Sequence, residues 1–116
     1  MREIKFRAWD GLSKKIYPVT AIYPNPHKIH CRISDGVTDK VAIEPILMQY
    51  TGLKDKNGVE IYSGDYLKQE GLEVEVKWGE FEAGFIFKDE SGSLMNVTKN
   101  NSNMWEVTGN KYENSI

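Results

Sequence analysis

Potential transition-metal ligands lie close together at one place in the sequence, where His27, His30 and Cys31 form the pattern H-x-x-H-C. Zinc is commonly bound by imidazole and thiolate groups, so these residues could supply part of a site. However, His30 and Cys31 would point to opposite faces if residues 29–33 form a strand, because successive side chains alternate. The chain has two His and one Cys in all, so no further residue of either type could complete the site. We therefore predict a polar loop here, with no bound metal and no cofactor.

The turn Asp55-Lys56-Asn57-Gly58 resembles the middle of a calcium-binding EF-hand loop. In that register, however, Leu53 stands at the first ligand position and Gly64 at the twelfth, where calcium requires a bidentate glutamate. An Asn-Gly pair favours a tight hairpin turn, because both residues tolerate positive φ. The sequence therefore predicts a turn and not a calcium site.

Paired carboxylates, such as those used by glycoside hydrolases, are available in the second half of the chain. The candidates are Glu73, Glu75, Glu80 and Glu82. Glu73 and Glu75 alternate with apolar residues, so both are expected on the solvent face of a strand. No nucleophile motif such as G-x-S-x-G is present, and both histidines lie in the loop-prone segment 27–30, where they could hardly act as a base. We predict no catalytic residues and a protein that is not an enzyme.

Aromatic and basic residues could form a surface on which single-stranded nucleic acid stacks. The candidates are Arg7, Trp9, Tyr50 and Trp78. The charge balance disfavours this function, because 17 Asp and Glu outweigh 15 Lys and Arg, whereas phosphate binding usually relies on a basic excess. In the simpler interpretation Trp78 lies in the core and Trp9 covers a joint between subdomains. A nucleic-acid-associated regulator is kept as the alternative hypothesis.

These side chains must be positioned by short strands, which the hydrophobic pattern predicts along most of the chain. Residues 3–9 alternate between two faces, and residues 73–78 alternate as cleanly. Residues 16–23 form another apolar segment, in which Pro18 favours an edge strand or a bend. The segment 37–48 is ambiguous, because it fits either one helical turn or an irregular strand.

The turn spacing predicts a mainly β fold, with α+β as the alternative, built from short antiparallel strands. We expect a β-rich N-terminal subdomain at residues 1–48 and a second subdomain at residues 49–116, joined in one compact unit. Within the second, residues 59–109 are predicted to form an SH3-like barrel. Its expected core residues are Ile61, Val74, Val76, Trp78, Phe85 and Phe87.

The sequence also predicts a cytoplasmic location. The single cysteine excludes an internal disulfide, so nothing indicates an oxidising compartment. The N-terminal segment MREIKFRAWDG is charged and lacks the apolar core of a signal peptide. No apolar run reaches the ~20 residues of a membrane-spanning helix, so no membrane association is expected.

Three segments that bracket almost the whole chain resemble the YopX-like proteins of bacteriophages and prophages: MREIKFRAWDG, LMQYTGLKDKNGVEIYSGD and VTGNKYEN. The differences are small, with Ile16 where relatives often carry Met and Thr108 where Ile is common, while residues 17–45 match no pattern known to us. The resemblance implies a phage-encoded protein of the bacterial host cytoplasm, largely β, with an SH3-like element in its C-terminal half and a tendency to self-associate. It implies no reaction, because the family has no assigned biochemical activity.

These observations favour a non-catalytic protein that acts through protein–protein contacts, as a homo-oligomer or with a host or phage protein. Small β proteins have exposed strand edges, which are either protected by charge or paired with another chain. The N-terminal strand and the tail segment KYEN are candidates for such contacts, since exposed apolar residues often mark an interface. The competing interpretation is that both termini fold back on their own subdomain. The predicted interaction surface comprises Phe6, Arg7, Trp9, Tyr50 and Tyr112.

Overall fold

The computed structural model describes residues 5–23, 30–37, 39–79 and 81–113. Strands account for 60% of these described residues and helix for 3%, which confirms the mainly β class and gives the α+β alternative no support. In chain order the strands are β1 (Phe6–Asp10), β2 (Lys15–Tyr23), β3 (His30–Ser34), β4 (Asp39–Ile43), β5 (Ile46–Lys54), β6 (Glu60–Tyr62), β7 (Asp65–Gln69), β8 (Leu72–Gly79), β9 (Gly84–Lys88), β10 (Leu94–Met95) and β11 (Glu106–Asn110), with a 3-10 turn at Ser102–Met104. In these parts of the chain, no helix is long and apolar enough to span a lipid bilayer.

The described residues form two compact units that divide between Gln49 and Tyr50. Strand β5 crosses this division, so its first residues pair with β1 and its later residues pair with β6. The N-terminal unit is an antiparallel sheet in the order β4-β3-β2-β1-β5. One face of this sheet is buried, because alternate residues of its strands are apolar. The buried cluster consists of Ala8, Tyr17, Cys31, Ile33 and Ala42.

An ion pair shows that this sheet is strongly curled. Lys40 on β4 places its Nζ 2.8 Å from Oδ2 of Asp10 on β1, and 5.3 Å from the ring centre of Tyr17. Strands β4 and β1 are three positions apart, about 14 Å in a flat sheet at ordinary strand spacing, which is farther than the two side chains reach together. The sheet must therefore curl towards its buried face, which helps to shield the small apolar cluster from water.

The carboxylate of Asp10 is held by several donors at the end of β1. Besides Lys40, the hydroxyl of Ser13 donates to Oδ2 at 2.7 Å, and the N–H of Leu12 donates to Oδ1 at 3.4 Å. The hydrogen bond from Lys40 contributes most, and together these donors lower the pKa of Asp10 against the opposing effect of burial. Asp10 therefore stabilises both the turn after β1 and the curl of the sheet.

Proline does not mark a sheet edge in this unit. Pro18 faces Arg7 across the sheet, in a strand that lies between β1 and β3. The register between β2 and β3 shifts between Val19 and Ala21, and such bulges are places where sheets accept proline. The ambiguous segment 37–48 contains strand β4 and the start of β5, so the strand alternative is the correct one.

The C-terminal unit contains a second antiparallel sheet, in the order β10-β9-β8-β7-β11, together with the pair β5–β6. Val74 and Val76 are buried as the alternation predicts, while Glu75 on the opposite face lies 3.8 Å from the ammonium group of Lys111. The two faces of β8 therefore divide cleanly into apolar and charged sides. The core consists of Ile61, Leu67, Val74, Val76, Phe87, Val97 and Trp105.

The predicted core is correct at five residues and wrong at one. Four of the five are buried, and Phe85 packs against them. Trp78 is 51% exposed, because it lies one row beyond the buried pair at the end of the β8–β9 hairpin. The SH3-like barrel predicted over residues 59–109 is not confirmed, since β10 and β11 are the outer strands of an open sheet and no closed barrel forms in the described residues.

The loop between β5 and β6 is organised by one buried carboxylate. Oδ1 of Asp55 accepts the N–H groups of Asn57 at 2.8 Å and Val59 at 2.9 Å, and Gly58 takes a φ of 78° that favours glycine. Oδ2 of Asp55 accepts the N–H of Val107 at 2.9 Å, from a residue 52 positions along the chain. Asp55 thus joins a local turn to the last strand of the same unit.

The loop between β9 and β10 has the same local hydrogen bonds. Oδ1 of Asp89 accepts the N–H groups of Ser91 at 3.0 Å and Ser93 at 2.9 Å, and Gly92 takes a φ of 90°. The hydroxyl of Ser91 adds a 2.7 Å bond, which contributes most to lowering the pKa of Asp89. The hydrogen bonds of Asp89 stay within its own loop, whereas Asp55 also reaches a distant strand.

Candidate functional site

The hairpin formed by β8 and β9 extends the apolar face of its sheet beyond the core. Trp78 and Phe85 lie opposite each other, one row past the buried pair Val76 and Phe87. The Trp78 and Phe85 rings meet edge to face, with centres 5.2 Å apart and planes at 84°, which is a favourable aromatic geometry. Half of the Trp78 side chain nevertheless faces solvent.

A further aromatic residue lies in the loop of the same hairpin. Phe81 is fully exposed. Isolated exposed apolar residues are common on protein surfaces, but a group of large aromatic residues at one place often marks a binding site. We refer to Trp78, Phe81 and Phe85 as the aromatic hairpin end.

Two residues near this end leave little room for change. A Cβ at Gly79 would lie 2.8 Å from Cγ2 of Ile86 and would collide with the carboxylate of Glu82, so a larger residue would require these side chains to shift. Ala83 has a φ of 52°, in the left-handed region that residues with a Cβ rarely adopt.

The second exposed apolar group lies on β4, the outer strand of the N-terminal sheet. Val41 is 48% exposed and Ile43 is 64% exposed, and we refer to these two residues as the β4 edge. On the same face, Nη1 of Arg32 lies 3.1 Å from Oδ1 of Asp39. Hydrogen bonds from Arg32 to Tyr23 and Asp39 raise the pKa of the guanidinium group. The β4 edge is therefore apolar with charged neighbours.

The interaction residues predicted from the sequence fall in both units. Phe6, Arg7 and Trp9 are half-buried on β1, which is hydrogen-bonded to a strand on each side, so its edge is not available to another chain. Tyr50 is buried in an aromatic pair. Tyr112 is half-buried in the turn after β11. The structure thus brings three of the five predicted residues together on one interior strand.

The structure does not gather the predicted carboxylate or metal candidates at one site: Glu73 and Glu75 lie on the charged face of β8, and Glu80 lies outside the described residues. His27 lies outside the described residues, and His30 and Cys31 occupy alternating positions of β3. Cys31 is fully buried, and this burial raises the pKa of its thiol. Among the residues that the structure describes, no group of three or more His, Cys, Asp or Glu side chains is placed to hold a metal ion.

Sequence reasoning missed three exposed residues, Phe81, Val41 and Ile43. A signal for Phe81 is present, because it is the one apolar side chain larger than alanine in the loop Gly79–Gly84, which otherwise holds Gly, Ala and Glu. Val41 and Ile43 share a strand face with Asp39. This pattern is hard to recognise because the segment also fits a helical turn.

The sequence pattern that defines the YopX protein family matches residues 5–116. The crystal structure of protein EF1440 from Enterococcus faecalis is similar, with a TM-score of 0.66 and 27% sequence identity over 98% of this chain and 96% of that one. No curated protein matches the sequence. Because the family pattern extends over nearly the whole length, the chain belongs to the YopX family.

Proposed function

We propose that this protein is a non-catalytic interaction module, encoded by a phage or prophage, that binds another protein in the bacterial cytoplasm. The observation that carries the proposal is the aromatic hairpin end, where Trp78 is 51% and Phe81 100% exposed. Trp is among the residues that contribute most to binding energy in protein interfaces. The resemblance to YopX-like proteins of phages and prophages supports the proposed origin.

The size of the aromatic hairpin end suits an anchor within a larger interface. Covering the exposed parts of Trp78 and Phe81 would remove roughly 300 Å² of surface from water, taking 150–250 Å² for each whole side chain. A standard interface buries about 800 Å² on each partner. Residues around the hairpin would therefore have to contribute the rest of the contact.

A protein partner is favoured over nucleic acid by charge. The chain carries a net charge of −2, and the loop between Gly79 and Gly84 adds two glutamates and no basic residue. Binding to nucleic acid depends on release of counterions by Lys and Arg, so the acidic balance of the chain supports a protein partner.

Affinity capture with matched variants tests the proposal. The tagged protein would be recovered from prophage-induced cells, in parallel with a Trp78→Ser/Phe81→Ser variant and with Leu94→Ser as a control, since Leu94 is also 51% exposed. We expect one host or phage protein at a stoichiometric level with the wild type and the control, and its loss with the double variant. Equal recovery with all three proteins would refute a role for the aromatic hairpin end.

We further propose that the protein self-associates through the β4 edge. An outer strand offers unpaired backbone groups to a second chain, and Val41 and Ile43 provide apolar surface beside them. Charged neighbours such as Asp39 would restrict the pairing to a matched strand, which a second copy of the chain supplies.

Light scattering after size exclusion tests self-association. We expect a mass above that of one chain at micromolar concentration, and a lower mass for Val41→Lys. Val59→Lys is the matched control, because Val59 is 47% exposed against 48% for Val41 but lies in the other unit. A mass of one chain throughout a tenfold dilution series would end the proposal.

A further inference from the structure

The loop between β5 and β6 contains a pair of residues that can react with each other. Asn57 is the one asparagine of the chain that is followed by glycine. The side-chain amide of asparagine is attacked by the backbone nitrogen of the next residue, and glycine permits this attack most readily because it has no side chain in the way. We propose that Asn57-Gly58 is a site of spontaneous deamidation, whose rate is set by how often the loop opens. The site lies in a different loop from the aromatic hairpin end, so it does not depend on the proposed partner.

The loop leaves the reacting groups open to water. Asn57 and Gly58 are both exposed. Among the described residues, no heavy atom outside its two chain neighbours lies within 4 Å of the position that a Cβ on Gly58 would occupy. The ring that the reaction forms therefore has room at this position, and water can reach it.

The reaction requires water as its only other reactant. The backbone nitrogen of Gly58 loses its proton to the solvent and bonds to Cγ of Asn57. The bond between Cγ and Nδ2 then breaks, and Nδ2 takes a proton from the solvent and leaves as ammonia. Water opens the resulting succinimide ring, and the nitrogen of Gly58 regains its proton. Addition of water at Cγ gives aspartate, whereas addition at the main-chain carbonyl carbon gives isoaspartate, in which the backbone runs through Cγ.

Two hydrogen bonds oppose this reaction while the loop is closed. The N–H of Gly58 donates to the carbonyl oxygen of Asp55 at 3.0 Å, and a nitrogen whose proton is held in this way is a poor nucleophile. Nδ2 of Asn57 donates to Oε1 of Glu106 at 3.4 Å, which ties the amide to β11. The carboxylate of Asp55 keeps the loop closed through its three hydrogen bonds to backbone N–H groups. Deamidation should therefore follow the population of the open loop.

Either product would weaken the loop in which it forms. The aspartate product replaces an NH2 donor, which lies 3.4 Å from Oε1 of Glu106, with a negatively charged oxygen, and like charges at this distance repel. Lys56, whose Nζ lies 3.7 Å from Oε2 of Glu106, offsets part of this repulsion. The isoaspartate product adds a carbon to the backbone between the N–H groups of Asn57 and Val59, which Asp55 binds together. The stability of the C-terminal unit should therefore decline as the protein ages.

Peptide mass spectrometry of the stored, folded protein tests the site. At physiological temperature and pH, we expect the mass increase of an amide converted to an acid at Asn57 before any other asparagine, and methylation of the product by an isoaspartyl methyltransferase. Asn57→Gln should show no such change at this position, because its reaction would require a larger ring. Absence of conversion at Asn57, under conditions that fully convert a peptide of residues 54–60, would overturn the proposal.

Two variants test whether the loop controls the rate. Asp55→Ala, with its fold checked by circular dichroism, should deamidate about tenfold faster than the wild type, equivalent to about 1.4 kcal/mol of lost protection. Ser91→Asn is the matched comparison, because it places an Asn-Gly pair in the loop where the N–H of Gly92 donates to Asp89 at the same 3.0 Å, while the carboxylate of Asp89 binds within its own loop.

The Ser91→Asn variant holds both loops in one molecule, so their rates are compared in one sample. We expect the introduced asparagine to convert faster than Asn57, because its loop has no bond like that from Val107 to Asp55. Equal rates at the two positions, or a folded Asp55→Ala that reacts at the wild-type rate, would overturn control by loop opening.

Discussion

Replacing Asp55 with alanine should destabilise the protein far more than the same change at Asp89. Both carboxylates accept two N–H groups within a loop of the same pattern. Asp55 differs because it is 4% exposed and also accepts the N–H of Val107 at 2.9 Å. The comparison therefore isolates the buried, long-range part of the interaction.

The expected loss follows from the three hydrogen bonds to Asp55. A hydrogen bond to a charged group contributes roughly 1.5–3 kcal/mol. In Asp55→Ala, water can reach the loop at Asn57 and Val59, which are exposed residues, more easily than at Val107, which is half-buried in β11. We therefore expect a loss of about 3 kcal/mol, below the simple sum of three bonds. The stability of Asp55→Asn should lie between that of Asp55→Ala and that of the wild type. The asparagine amide keeps one acceptor oxygen, but its NH2 group, which is a donor, would face a backbone N–H that is also a donor.

Urea denaturation followed by circular dichroism measures these differences. With a typical dependence of about 2 kcal/mol per molar urea, Asp55→Ala should lower the midpoint by about 1.5 M. Asp89→Ala should lower it much less, since its loop amides are open to water in the folded state. Equal midpoint shifts for the two variants would refute the argument, because the bond to Val107 and the burial of Asp55 would then contribute nothing.

Three further predictions concern other parts of the molecule. The pKa of Asp10 lies below its ordinary value of 3.8, chiefly because of the hydrogen bond from Lys40. Asp10 therefore stabilises the fold at neutral pH, and this contribution is lost as the pH falls through the lowered pKa. Lys40→Gln should reduce the difference between the urea midpoints measured at neutral and at strongly acidic pH. Cys31 is fully buried, and the pKa of its thiol is raised. An aromatic disulfide reagent should therefore modify Cys31 in urea and not in native buffer. Immediate reaction of the native protein would contradict the buried position of Cys31. Gly79→Ala should lower stability by about 1–3 kcal/mol through overpacking, while Gly84→Ala, whose Cβ would meet its nearest neighbour at 3.9 Å, should be tolerated in the same thermal melt.

Local patterns in the sequence predict the strands and most of the second core. The alternation of residues 73–78 identifies Val74 and Val76 correctly, because a strand places every second side chain on the same face. The same alternation assigns Trp78 to the core, since periodicity states the direction of a side chain and not where the neighbouring strands end. The exposure of Trp78 depends on the hairpin turning immediately afterwards.

Other features depend on contacts between distant residues, which periodicity does not report. Pro18 suggests an edge, but its acceptance inside the sheet depends on the register of β2 against β3. The pairing of Lys40 with Asp10 depends on the curl of the sheet across four strands. The interaction residues predicted on β1 likewise required knowledge of its two neighbours, β2 and β5.

The bond between Asp55 and Val107 also sets an order of events during protein synthesis. Asp55 leaves the peptidyl-transferase centre 52 residues before its partner. At ordinary elongation rates of about 5–20 residues per second, this interval lasts roughly 3–10 s. The local loop can close within microseconds, whereas the bond from Val107 to Asp55 and the pairing of β7 with β11 can form only after β11 has been made. The C-terminal unit therefore completes its fold late in synthesis.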